Sequence, residues 1–286
     1  AVRAKNQGDE SKISAGMQRL TEEDPTLTYA QDPGTKEMIL SGLGDQHLEI
    51  AVAKLAAKFG AEVNLTEPQI AYRETIRKKV EAEGKHKKQS GGHGQYGHVK
   101  ISFEPCVSDD LIFEEKVFGG SVPKNYFPAV EKGLQESVKK GVLAGCPVVG
   151  LKAVLLDGSY HPVDSSEMAF KTAASIAYKE GMRAADPVML EPISTLVVTA
   201  PDDNTGDIMG DLNKRRGRVM GMTPNADGDQ VVEAEVPMAE MMSYAIDLRS
   251  MTQGRGSYTL TFVRYEEAPM STQQEIIAKA KAEADD

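Results

Sequence analysis

Along this chain the apolar positions switch repeatedly between a helical spacing and the alternation of a strand. "AVRAK" reads as a short opening strand, and "DESKISAGMQRLTEEDP" as a helix stopped by Pro25. "TLTYAQDP" and "KEMILSGL" alternate as two strands joined across Pro33-Gly34. In "GDQHLEIAVAKLAAKFGAE", Leu48, Ile50, Val52, Leu55 and Ala56 fall at helical spacing, with Gly60 as the stop. "EVNLTEP" closes the segment as a strand. The order is β-α-β-β-α-β.

The last segment repeats that order without repeating the sequence. "EPISTLVVTAP" is a strand, "DDNTGDIMGDLNKRR" a helix ended by Gly217, and "GRVMGMTPN" with "DQVVEAEVP" a hairpin across Ala226-Asp227-Gly228. "AEMMSYAIDLRSM" is a helix and "GSYTLTFVRYEEAP" the closing strand. Two ferredoxin-like split-βαβ domains are therefore expected to flank a middle one, an α+β organisation. Short linkers are expected at 70–73 and 187–191.

The middle segment, from about Arg73 to Asp186, is built differently. A basic strand leads to a glycine loop, and "HVKISFEPC" follows as a strand. "FEEKVF" reads as a strand reaching Gly119-Gly120, and a helix starts near Lys124. "VVGLKAVLLDG" is a strand ending in "SYHPVDS", before the long helix "SSEMAFKTAASIAYKEGMRAA". Asp164 is placed to cap that helix, with Glu167 three residues on for a capping box. "MSTQQEIIAKAKAEADD" forms a C-terminal helix that must dock on something.

Composition adds little to this until charge is placed along the chain. With 286 residues, 40% apolar and 27% charged, the chain is long enough for two or three domains. No apolar run reaches the roughly 20 residues of a membrane span, and no secretory signal opens the sequence. It begins at Ala1 rather than Met, as expected at a processing or cloning boundary. Cys106 and Cys146 are the only cysteines, so no disulfide framework is expected and a reducing cytoplasm is the expected compartment. The net charge of −10 argues against a nucleic-acid partner, because phosphate binding needs cationic surface. Yet Arg73, Arg77, Lys78, Lys79, Lys85, Lys87 and Lys88 lead into the glycine loop. Lys214, Arg215, Arg216 and Arg218 form a second cluster beside Gly217. Each is a solvated surface or a local anion-binding patch.

Gly92-His93-Gly94-Gln95-Tyr96-Gly97 spells G-x-G-x-x-G. A dinucleotide loop needs a buried apolar strand before it and a helix opening at its third glycine. Here "EGKHKKQS" precedes and the alternating "HVKISFEP" follows, so that reading fails. The kinase motifs H-R-D and D-F-G are absent, and so is G-x-x-x-x-G-K-[ST]. What remains is a glycine-rich hairpin able to approach a partner's backbone. "DGSYHPVDSS" places Asp157, Ser159, His161, Asp164 and Ser165 close together, and Ser159, His161 and Asp164 could be read as a hydrolase triad. Triad partners usually come from separated elements, and no G-x-S-x-G elbow is present. His93 and His98 stand five apart with the cysteines far off, which matches no zinc spacing.

"GLGDQHLEI", "PQIAYRETI", "QSGGHGQYGHV", "PKNYFPAVEKG", "LLDGSYHPVDSSEMAFKTAAS", "GDIMGDLNKRRGRV" and "YAIDLRSMTQGRGSYTLTF" occur in one order over nearly the whole chain. In these blocks it resembles bacterial elongation factor G, a translational GTPase, from its domain III to its domain V. The resemblance implies domain III over 1–70 and domain V over 189–269, both ferredoxin-like. It implies domain IV over 71–188, a ribosomal-protein-S5-like α/β domain with a left-handed βαβ crossover, on which helix 270–284 packs. The GTPase and the β-barrel after it are missing from the pattern. The resemblance therefore implies no catalysis and no cofactor in this chain, with GTP and magnesium belonging to the GTPase domain.

It further implies a cytoplasmic monomer whose partners are the ribosome, tRNA and mRNA, with no membrane. Two loops, Gly91 to Tyr96 and Ser159 to Asp164, would form a tip that enters the decoding centre. Gln95 and His161 would touch the codon–anticodon duplex and tRNA backbone, while Gly91, Gly92 and Gly94 let the main chain come close to phosphate. Tyr96, Ser159, Tyr160, Pro162 and Asp164 complete the tip. Lys85, Lys87, Lys88 and His93 would add positive charge. Lys214, Arg215, Arg216 and Arg218 would face large-subunit RNA at the sarcin–ricin loop, and Ser14 with Gln46-His47 would couple to the GTPase. Two departures stand out: His93 replaces a frequent Arg, and Pro162 a frequent acidic residue. Within the family a ribosomal-protection or ribosome-recycling role is the alternative, and outside it a hydrolase using Ser159, His161 and Asp164, or a free-standing RNA-binding adaptor.

Overall fold

A computed structural model describes residues 1–89 and 94–285, with side chains through residue 282. The chain falls into two compact units, residues 1–71 with 192–264 and residues 72–191 with 265–286. Among the described residues no helix is long and apolar enough to cross a membrane.

The first unit opens with β1 (Val2–Ala4), α1 (Glu10–Glu23), β2 (Thr28–Gln31), β3 (Met38–Ser41), α2 (Asp45–Phe59) and β4 (Val63–Leu65). β1 pairs with β4 and β2 with β3, both antiparallel. Ile13, Met17 and Leu20 of α1 bury at i, i+4 and i+7 against Ala51 and Leu55 of α2. Gly60 ends α2 in the left-handed region at φ 63°. Ile50, expected on the apolar face, is 54% exposed, because the buried stripe of α2 runs through Ala51 and Leu55.

The second unit contains β5 (Arg73–Ile76), β6 (Val80–Lys88), β7 (Gln95–Pro105), β8 (Ile112–Glu115), α3 (Phe127–Ser137), β9 (Leu151–Ser159) and α4 (Glu167–Ala184). Its sheet runs β6-β7-β9-β8, with β8 and β9 parallel and α3 between them in the chain. β8 stops at Glu115, short of the expected Gly119. α4 lies directly on β6 and β7. Its stripe of Ala169, Ala173 and Ala177 meets Gly84 and Gly97, where a Cβ would overlap the α4 backbone at Ala173 and Ala169 respectively. Phe103, Phe170, Tyr178 and Leu155 fill the core beneath. The helix is capped two positions beyond the expected residue: Ser166 is the N-cap and its Oγ accepts the Ala169 N–H, because Asp164 is engaged elsewhere.

β10 (Pro187–Pro201) pairs through residues 187–190 with β5 and through residues 193–201 with β12 (Asp229–Pro237). The stretch 187–191 is therefore strand rather than linker, because Arg73–Ile76 supplies its ladder. The remaining elements are α5 (Thr205–Lys214), β11 (Arg218–Pro224), α6 (Tyr244–Thr252), β13 (Ser257–Glu267) and α7 (Met270–Asp285). With strand order β11-β12-β10-β13, α5 and α6 pack Ile208, Leu212 and Leu248 on Leu196, Val198 and Ala234. α7 belongs to the second unit, where buried Gln273 accepts the Met189 N–H and donates to Ala268 O.

Candidate nucleic-acid interface

Sheet register brings the two predicted loops to one place. β7 pairs Gln95 with Lys88 on one side and His98 with Ser159 on the other, so the end of β6, the start of β7 and the segment after β9 lie at the same end. Direct hydrogen bonds then join them. Gly94 N–H donates to Asp164 Oδ1 (3.0 Å) and Tyr96 N–H to Asp164 O (2.8 Å). Ser165 Oγ donates to Tyr96 O and accepts the His161 N–H, both at 2.9 Å. Below these, Ser159 Oγ shares hydrogen bonds with Tyr96 Oη (2.7 Å) and His98 Nδ1 (2.9 Å). Gly91, Gly92 and His93 lie outside the described residues.

The exposed groups at this end are mainly donors. Gln95 is exposed, and its Oε1 is hydrogen-bonded to His86 Nε2 (2.8 Å), which leaves the amide N–H groups outward. His161 is exposed too, and its Nδ1 accepts the N–H of Asp164 (3.2 Å) and of Val163 (3.4 Å). An Nδ1 that accepts puts the ring hydrogen on Nε2, the free side. Asp164 Oδ2 lies 3.4 Å from the same Nδ1. Tyr160 and Pro162 are exposed beside it. Lys85, Lys87 and Lys88 are exposed along β6, with Lys85 Nζ 5.8 Å from the Tyr96 ring centre. Lys87, Lys88, Gln95, Tyr96 and His161 line a small cleft of about 140 Å³.

Two expectations change here. Ser159, His161 and Asp164 do not form a triad: Ser159 is bonded to Tyr96 and His98, and His161 Nδ1 is turned to backbone N–H groups. Gly94 does not hold open space for a partner's phosphate, because a Cβ there would stand 2.9 Å from Asp164 Oδ2. Its missing side chain makes room for the loop tie.

The second basic cluster is mostly consumed within the first unit. Arg215 donates to Asp211 Oδ2, Glu240 O and Asp247, and its guanidinium carbon lies 5.2 Å from the Tyr244 ring centre. Its side chain is 13% exposed, so it cannot serve as an RNA-facing cation. Arg216 donates to Glu240 Oε1, and Arg218 shares Glu235 with Arg264. Those two arginines, Arg264 first, hold the Glu235 carboxyl down at about 2. Lys214 alone of the four is exposed without an ion-pair partner among the described residues. In the other half of the unit, His47 Nδ1 accepts the Leu43 N–H and its Nε2 meets Asp24 at 2.9 Å, a role internal to the fold.

Sequence reasoning passed over His86, and it weighed His98 only as a metal ligand and Ser165 only as part of a catalytic cluster; these three residues hold Gln95 and the second loop in place. Their signal was weak, since each works by register rather than by a motif. It also passed over the cations at 171, 179 and 183, whose four-residue multiples along a helix were readable.

Comparison with known proteins follows the same segments. Family models for "Elongation Factor G, domain III", "Elongation factor G, domain IV" and "Elongation factor G C-terminus" match residues 1–67, 68–186 and 188–276. An "Elongation factor G-like protein" of Thermotoga maritima is 49% identical over 284 residues, 99% of this chain. A crystal structure of a protein from Thermus thermophilus superposes with a TM-score of 0.86 at 45% identity, again over 99% of this chain. The chain spans 42% of the length of each of these two relatives. With three consecutive domain matches and a close structural neighbour, the chain belongs to the elongation factor G family and carries its domains III and IV and its C-terminus.

Proposed function

We propose that this chain is the ribosome-contacting part of a translocating elongation factor, and that the joined loops at Gln95 and His161 press against tRNA and mRNA in the small-subunit decoding centre. The supporting observation is the cross-loop tie itself. Asp164 and Ser165 bond to Gly94 and Tyr96, which holds two exposed donors at one end of a rigid sheet. Ribose and phosphate oxygens are acceptors, so outward amide N–H and imidazole Nε2–H groups match them without reading sequence. Three lysines alongside supply charge for the backbone. No bond is made or broken by these residues, which work as a wedge. Lys214 serves as a contact for large-subunit RNA, and the protein is a cytoplasmic monomer that takes its energy from GTP hydrolysis in another domain.

Translocation kinetics on ribosomes test the proposal in the parent protein. His161→Ala removes one positioned donor, a loss of about 1.4 kcal/mol or more, so tRNA movement slows about tenfold or more while ribosome-stimulated GTP turnover persists. Unchanged translocation, or a matching loss of GTP turnover, would refute the wedge.

A further inference from the structure

A cleft of about 560 Å³ in the second unit lies between α3 and α4. α4 contributes Lys171, Ser175, Lys179 and Arg183, four residues apart in succession and so on one face, while Phe170, Ala173, Ala174 and Ala177 bury the opposite face. At 1.5 Å per residue this row is about 18 Å long. Lys140 faces it from the segment after α3, with exposed Lys139 beside it. The groove is built rather than incidental. Gly133 of α3 lies so close to α4 that a Cβ would stand 2.7 Å from Lys171 O, and Tyr178 Oη donates to Lys140 O (3.3 Å), pinning the far wall. Glu136 and Glu180 answer Lys171 and Arg183, whereas Lys139, Lys140 and Lys179 have no ion-pair partner among the described residues. The Lys171 hydrogen bond, its charge and those of Lys132 and Lys139 hold the Glu136 carboxyl below the usual range.

We infer that this groove is a second RNA contact, one that takes the phosphate backbone of a strand or stem running along α4. Unpaired cations on both walls, in a chain of net charge −10, make a local positive patch that suits a polyanion. A row of about 18 Å with the Ser175 hydroxyl between the charges suits a continuous phosphate chain. Met168, at the groove's near end, is two residues from the Ser166 cap and the tip loop. The groove therefore extends the tip surface, and it rests on that reading only for which RNA it holds.

The test is fluorescence anisotropy of a fluorescein-labelled RNA hairpin titrated with the whole chain at several KCl concentrations. Replacing Lys140 and Lys179 together by Ala is expected to weaken binding about tenfold at low salt. The slope of log affinity against log salt should shrink by roughly 1.4–1.8, two phosphate contacts' worth. Both side chains are exposed, so thermal melting stays that of the parent, and the Lys140→Gln, Lys179→Gln pair serves as a second variant should it not. Equal affinity and slope in parent and variant, no hairpin binding by the parent, or displacement of the hairpin by poly-glutamate at matched charge would each overturn the inference. His161→Ala leaves this groove intact, so a silent His161→Ala with a weakened Lys140/Lys179 variant would sink the wedge and keep the groove, and the reverse pattern would do the opposite.

Discussion

Glu74 is a fully buried carboxylate whose removal should loosen one wall of that groove. Its Oε1 accepts the N–H groups of Ala144 and Cys146, both at 3.0 Å, and its Oε2 the N–H of Leu143 at 2.9 Å. Three oriented amides thus hold the charge, and the segment after α3 is folded around it. Hydrogen bonds to a charged group are worth about 1.5–3 kcal/mol each, but the segment is only half-buried and water can replace part of what is lost. Glu74→Gln keeps the volume, leaves one oxygen to serve two amides, and turns an NH₂ toward the Leu143 N–H; it should cost about 2 kcal/mol. Glu74→Ala leaves all three amides without their acceptor and should cost about 3–4 kcal/mol. With a urea slope of about 2 kcal/mol/M, the midpoint of the second unit falls by about 1 M for Gln and up to about 2 M for Ala. Far-ultraviolet circular dichroism follows the transition, and hydrogen exchange at Leu143, Ala144 and Cys146 reports the local opening. The Cys146 thiol, pushed up to about 11 by burial and then by Glu74, gives a second readout. In a Cys106→Ser background its alkylation at pH 8 should quicken when Glu74 is replaced. Midpoints for both variants within about 0.2 M of the parent, with exchange unchanged, would refute the clamp.

Two further outcomes follow from packing and charge. Gly97→Ala drives a methyl into the Ala169 backbone, so it should cost about 2–4 kcal/mol and lower the Tm of the second unit by about 5–10 °C, read by calorimetry; an unchanged Tm would mean that α4 can move off the sheet. Glu235, lowered from 4.5 to about 2 by Arg264 and Arg218, favours the fold while ionised, so its contribution is complete above pH 4.5 and fades as pH falls toward 2. Urea midpoints of Glu235→Gln should therefore lie below those of the parent at pH 7 and converge with them between pH 4.5 and 2, and a gap constant with pH would refute the pairing.

Elements were legible in the sequence wherever a period ran long or a terminator was unambiguous: α1 before Pro25, α2 before Gly60, and the hairpin at Gly228. Ends set by tertiary partners were not. The stretch 187–191 looks like a joint because it carries two prolines at its borders, and it is a strand because Arg73–Ile76 lies beside it. Asp164 has the residue type and spacing of a helix cap, and only the approach of Gly94 reveals what it binds. Arg215 shows the same limit for charge. Four cations in five positions look like a binding patch, but whether a guanidinium is available depends on Asp211, Glu240 and Asp247, which the fold gathers from three places in the chain.

On the proposed reading, the supply of unpaired cations decides how an acidic chain can work on RNA. A uniformly basic surface would bind any phosphate at any site, because the electrostatic contribution is blind to sequence and shape. Here Arg215, Arg216 and Arg218 are paired with carboxylates, while Lys87, Lys88, Lys139, Lys140, Lys179 and Lys214 are exposed without an ion-pair partner among the described residues. Lysine's compact ammonium attracts a backbone without the bidentate geometry that would fix it to one group. On the proposed reading, the net charge of −10 repels RNA in general, and only a backbone that meets the tip and the groove at once gains enough contacts to stay. On that same reading, a wedge that enters and leaves in every cycle needs that balance, because tighter single contacts would slow its release.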